Sequence, residues 1–197
     1  MNTKIKSLYV HIPFCSHICH YCDFTKLFYN NKFSEPYLKA LFCELDLYNI
    51  DKVATLYIGG GTPTSLSDIE FETLLSKLHS YIHEKTEFTV EANVENLSVE
   101  KLAIMKRYGV NRLSIGIEST NDKLLKAIGR HHSFKEAVDV IKLAKQYISN
   151  INVDLIYGFP NQTLDELRID LKNILELNTN HISIYSLIIS SNTKYYK

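Results

Sequence analysis

Ser7-Leu8-Tyr9-Val10-His11-Ile12-Pro13-Phe14-Cys15-Ser16-His17-Ile18-Cys19-His20-Tyr21-Cys22-Asp23-Phe24 decides how this chain is read. The opening run, Ser7–His11, reads as a short strand. The strand feeds a loop that holds three cysteines, with three and then two residues between them. Such spacing aims three thiolates at one inorganic centre. Iron–sulfur clusters are held by cysteine thiolates, normally four for a 4Fe–4S cube. Three ligands with no fourth nearby leave one iron open, and an open metal position is where chemistry takes place. The same stretch also carries His11, His17 and His20, and zinc accepts mixed Cys/His sets. The spacing alone therefore leaves iron–sulfur and zinc both open. A disulfide fits less well, because Met1-Asn2-Thr3-Lys4-Ile5-Lys6 lacks the apolar stretch of a secretory signal and predicts a reducing, cytoplasmic setting. Cys43 lies in a helical apolar pattern and is expected in the core.

Outward from this stretch, short apolar or β-branched runs alternate with longer helical patterns. Strands are expected at Ser7–His11, Val53–Ile58, Glu87–Glu91, Arg112–Ile117, Asn152–Tyr157 and His181–Tyr185. Between them, apolar residues recur at helical spacing, as in Leu38, Leu41, Phe42 and Leu45. Ser34 before Pro36 marks a first helical turn. Ser67 with Glu70, Ser133 with Glu136, and Thr163 with Glu166 read as capping boxes, and Gly109 as a left-handed helix stop. This alternation predicts an α/β fold with a parallel sheet and crossover helices. Six strands with five helical regions suit a partial (βα)6 barrel rather than a complete eightfold one.

The chain has 197 residues, enough for one domain with a sizeable core, and no internal linker is visible. Its 22 Lys and Arg balance 22 Asp and Glu, so no global field suggests nucleic acid. No apolar run is long enough to span a bilayer. Sites in parallel α/β folds form at the C-terminal ends of strands, and there the unusual residues gather: the cysteine loop, Gly59-Gly60-Gly61-Thr62-Pro63-Thr64, Glu91-Ala92-Asn93, Gly116-Ile117-Glu118 and Tyr157-Gly158-Phe159-Pro160.

The glycine run lacks dinucleotide spacing and a phosphate-loop lysine. It offers bare backbone to a small polar ligand, or simply a tight turn. Glu91 and Glu118 end neighbouring strands, where carboxylates can hold a hydroxyl or an ammonium group; as lone strand ends they would more simply face water. Asp154 sits inside an apolar run, so it is either paired when buried or, with Asn152, on a solvated face. Arg130-His131-His132 can bind a carboxylate through the arginine, or serve only as helix-end charge.

Cys15-x-x-x-Cys19-x-x-Cys22 resembles the signature of radical S-adenosylmethionine (SAM) enzymes. The surrounding words resemble the group of oxygen-independent coproporphyrinogen III oxidases and HemW-type haem chaperones: Tyr9 to Cys15, Gly59 to Thr64, Asn111-Arg112-Leu113-Ser114-Ile115-Gly116, and Asp154-Leu155-Ile156-Tyr157-Gly158-Phe159-Pro160. They stand in the family's order across essentially the whole chain, and that favours iron–sulfur over zinc. The resemblance implies a 4Fe–4S cluster on Cys15, Cys19 and Cys22, with S-adenosylmethionine on the open iron. It implies nucleotide contacts from Tyr9, Tyr21, Gly60, Gly61, Thr62, Glu91, Arg130 and Asp154, and from Glu118, which stands where the family commonly has glutamine. One-electron cleavage of the sulfonium would give a 5′-deoxyadenosyl radical that abstracts substrate hydrogen.

Within the group, Asp23-Phe24 after the triad, without a further cysteine, resembles the haem-chaperone branch. That implies a porphyrin or haem ligand and a low-potential electron donor. The alternatives are an oxidase that decarboxylates propionates to vinyl groups, which would make the chain an oxidoreductase of the coproporphyrinogen III dehydrogenase type, or a truncated, non-catalytic cluster-binding remnant. Family members continue beyond the position of Lys197 into a C-terminal domain. The resemblance therefore implies a single radical SAM core domain over 1–197 with that domain absent, and part-exposed Ile182, Ile184 and Leu187 on the last strand.

Overall fold

A computed structural model describes residues 5–196, so the part of the leader reading that rests on Met1 to Lys4 lies outside the described residues. The chain runs β1 (Ser7–Ile12), β2 (Phe14–Cys15), β3 (Leu27–Phe28), α1 (Asn31–Leu47), β4 (Thr55–Gly60), α2 (Asp68–His79), β5 (Glu87–Asn93) and α3 (Val99–Arg107). It continues through β6 (Arg112–Glu118), α4 (Asp122–Ala127), α5 (Phe134–Ala144), β7 (Asn150–Tyr157), α6 (Leu164–Glu176) and β8 (His181–Ser186). β1, β4, β5, β6, β7 and β8 form one parallel sheet in that order. All six expected strands are present, each within two residues of its expected ends. Spatial order follows chain order, so each crossover lands on the adjacent strand, the pattern of a (βα) barrel wall.

Period-two alternation builds the two faces of this sheet. Val10 and Ile12, Leu56 and Ile58, Phe88 and Val90, Leu113 and Ile115, and Ile151 and Val153 are buried. They pack in one core with Phe71, Leu74 and Leu78 of α2, Leu102 and Met105 of α3, and Ile141 of α5. The alternate positions carry Tyr9, His11, Tyr57, Glu91, Ser114, Asn152 and Asp154. Parallel sheets ordinarily have both faces apolar. One face of this sheet is polar, and there the candidate ligand-handling groups collect.

All three expected capping boxes form, on α2, α5 and α6. Gly109 follows α3 with φ +84°, and Val110 N donates to Met105 O at 3.0 Å, which closes the helix end. The sequence places the start of α1 at Ser34 and Pro36; the structure starts it at Asn31. Asn30 accepts from Lys32 N at 3.0 Å and caps the helix earlier. Ser34 therefore lies inside α1, buried, and donates to Glu70. The expectation of a core Cys43 is also corrected: the residue is exposed. The apolar stripe of α1 runs through Leu38 and Leu45 with Leu41 and Phe42 beside it. One residue further on, the helix has turned by about 100° toward solvent.

β8 is an edge strand, with Ile184 48% exposed and Ile182 and Leu187 part-buried, as the sequence implies. Among the described residues, no helix is long and apolar enough to cross a membrane.

Candidate metal and nucleotide site

The cysteine loop hangs between β2 and β3, a small parallel pair the sequence did not announce. Leu27 N donates to Pro13 O at 2.6 Å and Tyr29 N to Cys15 O at 2.9 Å, closing the loop at its base. The run after β4 clamps it from beneath: Gly61 N donates to Ile12 O (2.8 Å) and Thr62 N to Phe14 O (2.7 Å). Distant segments hold its far side. His20 N donates to Ile128 O at 2.9 Å, Tyr195 N to His20 O at 2.8 Å, and Asn96 Nδ2 to Ser16 Oγ at 2.8 Å. The His17 and His131 rings stack with centroids 3.8 Å apart. Tyr21 packs on a second small core of Leu125, Ile128, Ile156 and Phe159.

The three thiols are free, Cys15 buried and the other two part-buried. Thr62 Oγ1 lies 3.6 Å from Cys15 Sγ and accepts from Asn93 Nδ2 at 3.0 Å. Burial pushes the Cys15 thiol up, and the Cys19 thiol up to about 11, with Arg130 opposing in both cases. A cysteine binds metal as its thiolate, so metal uptake by these thiols would expel protons. A mononuclear zinc site needs donors converging within about 2.3 Å of one point. Among the described residues no three His, Cys, Asp or Glu side chains form such a group. Buried Arg130 couples to both Cys15 and Cys19 and so borders the three thiols.

Gly61 shows how tight the cradle is. A Cβ there would meet Phe14 O at 2.8 Å and Cys15 Sγ at 2.9 Å, so bare backbone is what lets the cysteine strand lie on this turn. Gly60 adopts φ +118°, and its amide donates to Glu91 Oε2 at 3.1 Å. Tyr57 Oη donates to Glu91 Oε1 at 2.6 Å, and the Tyr57 ring stacks on Tyr9 with centroids 5.9 Å apart. Glu91 is thus part-buried and held rather than water-facing. Burial, then the nearby Asp154 carboxylate, raises its pKa against Tyr57 and Gly60.

Asp154 is paired, on the polar face: it accepts from Ser114 Oγ (3.1 Å) and Asn152 Nδ2 (2.8 Å), while Ser183 Oγ reaches Asn152 Oδ1 at 3.1 Å. Its carboxyl too is raised by burial.

At the end of β6 the register shifts between Gly116 and Glu118, and Glu118 takes φ +71°, a region that L side chains rarely occupy. The distortion turns its buried carboxylate onto Arg130 Nη2. Arg130 is itself buried, with Nη2 3.4 Å from Gly116 O, Nη1 4.0 Å from Glu95 Oε1, and Nε without a hydrogen-bond partner. Burial works against its charge, but Glu118 holds the guanidinium well above its ordinary value. Glu118 is raised by burial, with Arg130 opposing. A buried guanidinium with an unused donor beside Cys19 fits a polar ligand at this spot.

Glu95, which the sequence reading does not single out, and His132, which it reads only beside Arg130, complete the cluster, with His132 Nδ1 3.3 Å from Glu95 Oε2. Burial pushes the Glu95 carboxyl up, yet His132 and Arg130 outweigh it and hold the pKa at about 2. The unfolded carboxyl titrates near about 4.3. Between these values the unfolded chain binds more protons, so the stability from Glu95 is complete above the upper value and lost as pH falls toward the lower. Glu95→Gln is therefore expected to flatten the drop in urea midpoint between about pH 4.5 and about pH 2. A variant that loses stability as steeply as the parent over that window would contradict this account.

The structure brings Cys15, Cys19, Cys22, Tyr21, Thr62, Glu118 and Arg130 to one locus, with Gly60, Gly61, Glu91 and Asp154 beside it on the polar face. Tyr9 stands at the margin, 57% exposed, its hydroxyl 3.2 Å from His11 Nδ1. Sequence reading does not single out Tyr57, Glu95 or Ser114 as site residues, and it gives His132 no partner. Alternation along the strands marks Tyr57 and Ser114 as polar-face positions. Nothing local marks Glu95, or pairs His132 with it.

A model of the Radical SAM superfamily matches residues 9–174. The chain is 43% identical to the Heme chaperone HemW of Bacillus subtilis over 98% of its own length and 53% of that protein's. It is 41% identical to the Heme chaperone HemW of Lactococcus lactis, over 98% of this chain and 52% of that one. The structure of coproporphyrinogen III oxidase (HemN) from Escherichia coli superposes with a TM-score of 0.86 at 29% identity, over 94% of this chain and 44% of that one. The chain thus spans about half the length of the curated relatives it matches.

Proposed function

Because this chain belongs to the radical SAM superfamily, we propose that Cys15, Cys19 and Cys22 hold a 4Fe–4S cluster and that S-adenosylmethionine binds beside it, in the service of haem or porphyrin handling. When bound, that pair supplies one-electron cleavage of a sulfonium. The observation that carries the reading is three free thiols in one loop, Cys15 seated on the Gly61–Thr62 turn, next to a buried arginine with an unused donor.

The chain's own residues do the rest. Tyr57 and the Gly60 amide fix Glu91 at the end of β5, where its carboxylate can accept from an ammonium or a ribose hydroxyl. Ser114 and Asn152 fix Asp154 two strands away, a second acceptor at a set distance from the first. Tyr9 offers an aromatic face at the open margin. Tyr21, Ile128 and Phe159 wall the loop with apolar surface that keeps water from the thiols.

The haem-chaperone branch is the reading favoured by Asp23-Phe24 after the triad and by the similarity to the two HemW proteins. It brings a haem or porphyrin ligand, a low-potential electron donor and a cytoplasmic setting. The described chain then serves as one radical SAM core over 1–197.

Anaerobic purification and reconstitution test this. The protein is expected to carry about four iron and four acid-labile sulfide per chain. The electron paramagnetic resonance spectrum of the reduced protein should change when S-adenosylmethionine is added. Zinc without sulfide, or a spectrum indifferent to the nucleotide, would overturn the reading.

A further inference from the structure

The charge around Arg130 is spent before any ligand arrives. Its guanidinium is bonded to Glu118, buried with it, and lies 4.0 Å from part-buried Glu95. Asp154 adds further negative potential at Glu118, and at Glu91 beyond it. Arg112, the other arginine coupled to this group, lies at the start of β6, its Nη2 3.3 Å from His181 Nδ1. Two carboxylates, Glu118 and Glu95, thus lie against Arg130, and Asp154 adds its charge at Glu118.

Glu118 is also placed there at a cost. A non-glycine residue at φ +71° and a shifted register are both maintained to bring this carboxylate onto the guanidinium. A glutamine in its place would keep the hydrogen bond from Arg130 and leave Glu95, 4.0 Å away, as its nearest counter-charge.

We propose that Glu118 is a charge-selecting residue: by neutralising Arg130 it makes the pocket recognise a nucleoside ligand through its cationic groups, with the ligand's carboxylate held weakly. The inference rests on the nucleotide reading above. A carboxylate brought to the free Nε edge of Arg130 would stand beside Glu118 and Glu95, and repulsion from like charge offsets the charge-assisted hydrogen bond it gains. An ammonium or sulfonium meets only attraction from Glu91, Glu118 and Asp154.

The test uses two probes on the anaerobically reconstituted protein, S-adenosylmethionine and its decarboxylated analogue, with dissociation constants from equilibrium dialysis. In the Glu118→Gln variant, preference for the carboxylate-bearing nucleoside over the analogue is expected to rise about tenfold relative to the parent. A second variant separates charge from shape: Glu118→Asp keeps the negative charge and should hold the parent's preference to within about twofold. Iron content and thermal melting accompany both variants.

An unchanged preference in Glu118→Gln, or a tenfold rise in Glu118→Asp as well, overturns the proposal and leaves the nucleotide reading intact. Failure of an iron-replete parent to bind either probe removes that reading, and the proposal with it.

Discussion

Cys19→Ala is expected to lower cluster iron and acid-labile sulfide at least about tenfold relative to the parent, with the fold retained. The thiol belongs to a part-buried loop tied at its base by Leu27 and Tyr29 and at its far side by Ile128 and Tyr195, none of which depends on Sγ. The backbone should therefore hold when the sulfur is removed. The remaining cysteine, Cys43, is exposed on α1, the helix that follows the loop, and belongs to none of these ties, so no thiol replaces the lost one. A cube held by two corners would lose a covalent bond to iron and gain water in its place. Iron and sulfide analysis after anaerobic reconstitution, with far-ultraviolet circular dichroism beside it, is the measurement. Parent-like iron in a folded Cys19→Ala protein would mean that the thiols do not act as one ligand set.

Gly61→Ala tests the cradle without touching a donor. The added methyl would lie 2.8 Å from Phe14 O and 2.9 Å from the Pro13 carbonyl carbon, both backbone, so no side-chain rotation relieves the contact. Either β2 lifts from the turn, breaking Thr62 N to Phe14 O (2.7 Å) and moving Cys15, or the turn itself shifts. Overpacking of this kind costs about 1–3 kcal/mol. The expected result is a lower urea midpoint together with cluster occupancy below half of the parent's. An alanine variant with parent stability and full iron would show that the close approach has no part in holding the site.

The fold was legible because its signals are local and repeated. Val10 and Ile12, Leu56 and Ile58, and Leu113 and Ile115 each alternate with polar residues, and the capping boxes at Ser67, Ser133 and Thr163 fix where helices begin. The start of α1 was misplaced because two signals compete there. Ser34 before Pro36 imitates an entry, while Asn30 four residues earlier supplies the cap.

Cys15, Cys19 and Cys22 were also legible, since ligand spacing is a local property of one loop. Sequence alone thus determined a parallel α/β chain, three thiols in one loop, and a glycine turn at the end of the second sheet strand. Tertiary structure decided the electrostatics. Arg130 lies 12 residues from Glu118 and 35 from Glu95 in sequence, yet the three meet in one cluster, Arg130 and Glu118 buried and Glu95 part-buried. Whether an arginine is a free anchor or a neutralised one depends on which carboxylates burial forces against it. Desolvation acts on groups brought together in space, and one-dimensional spacing carries no record of it.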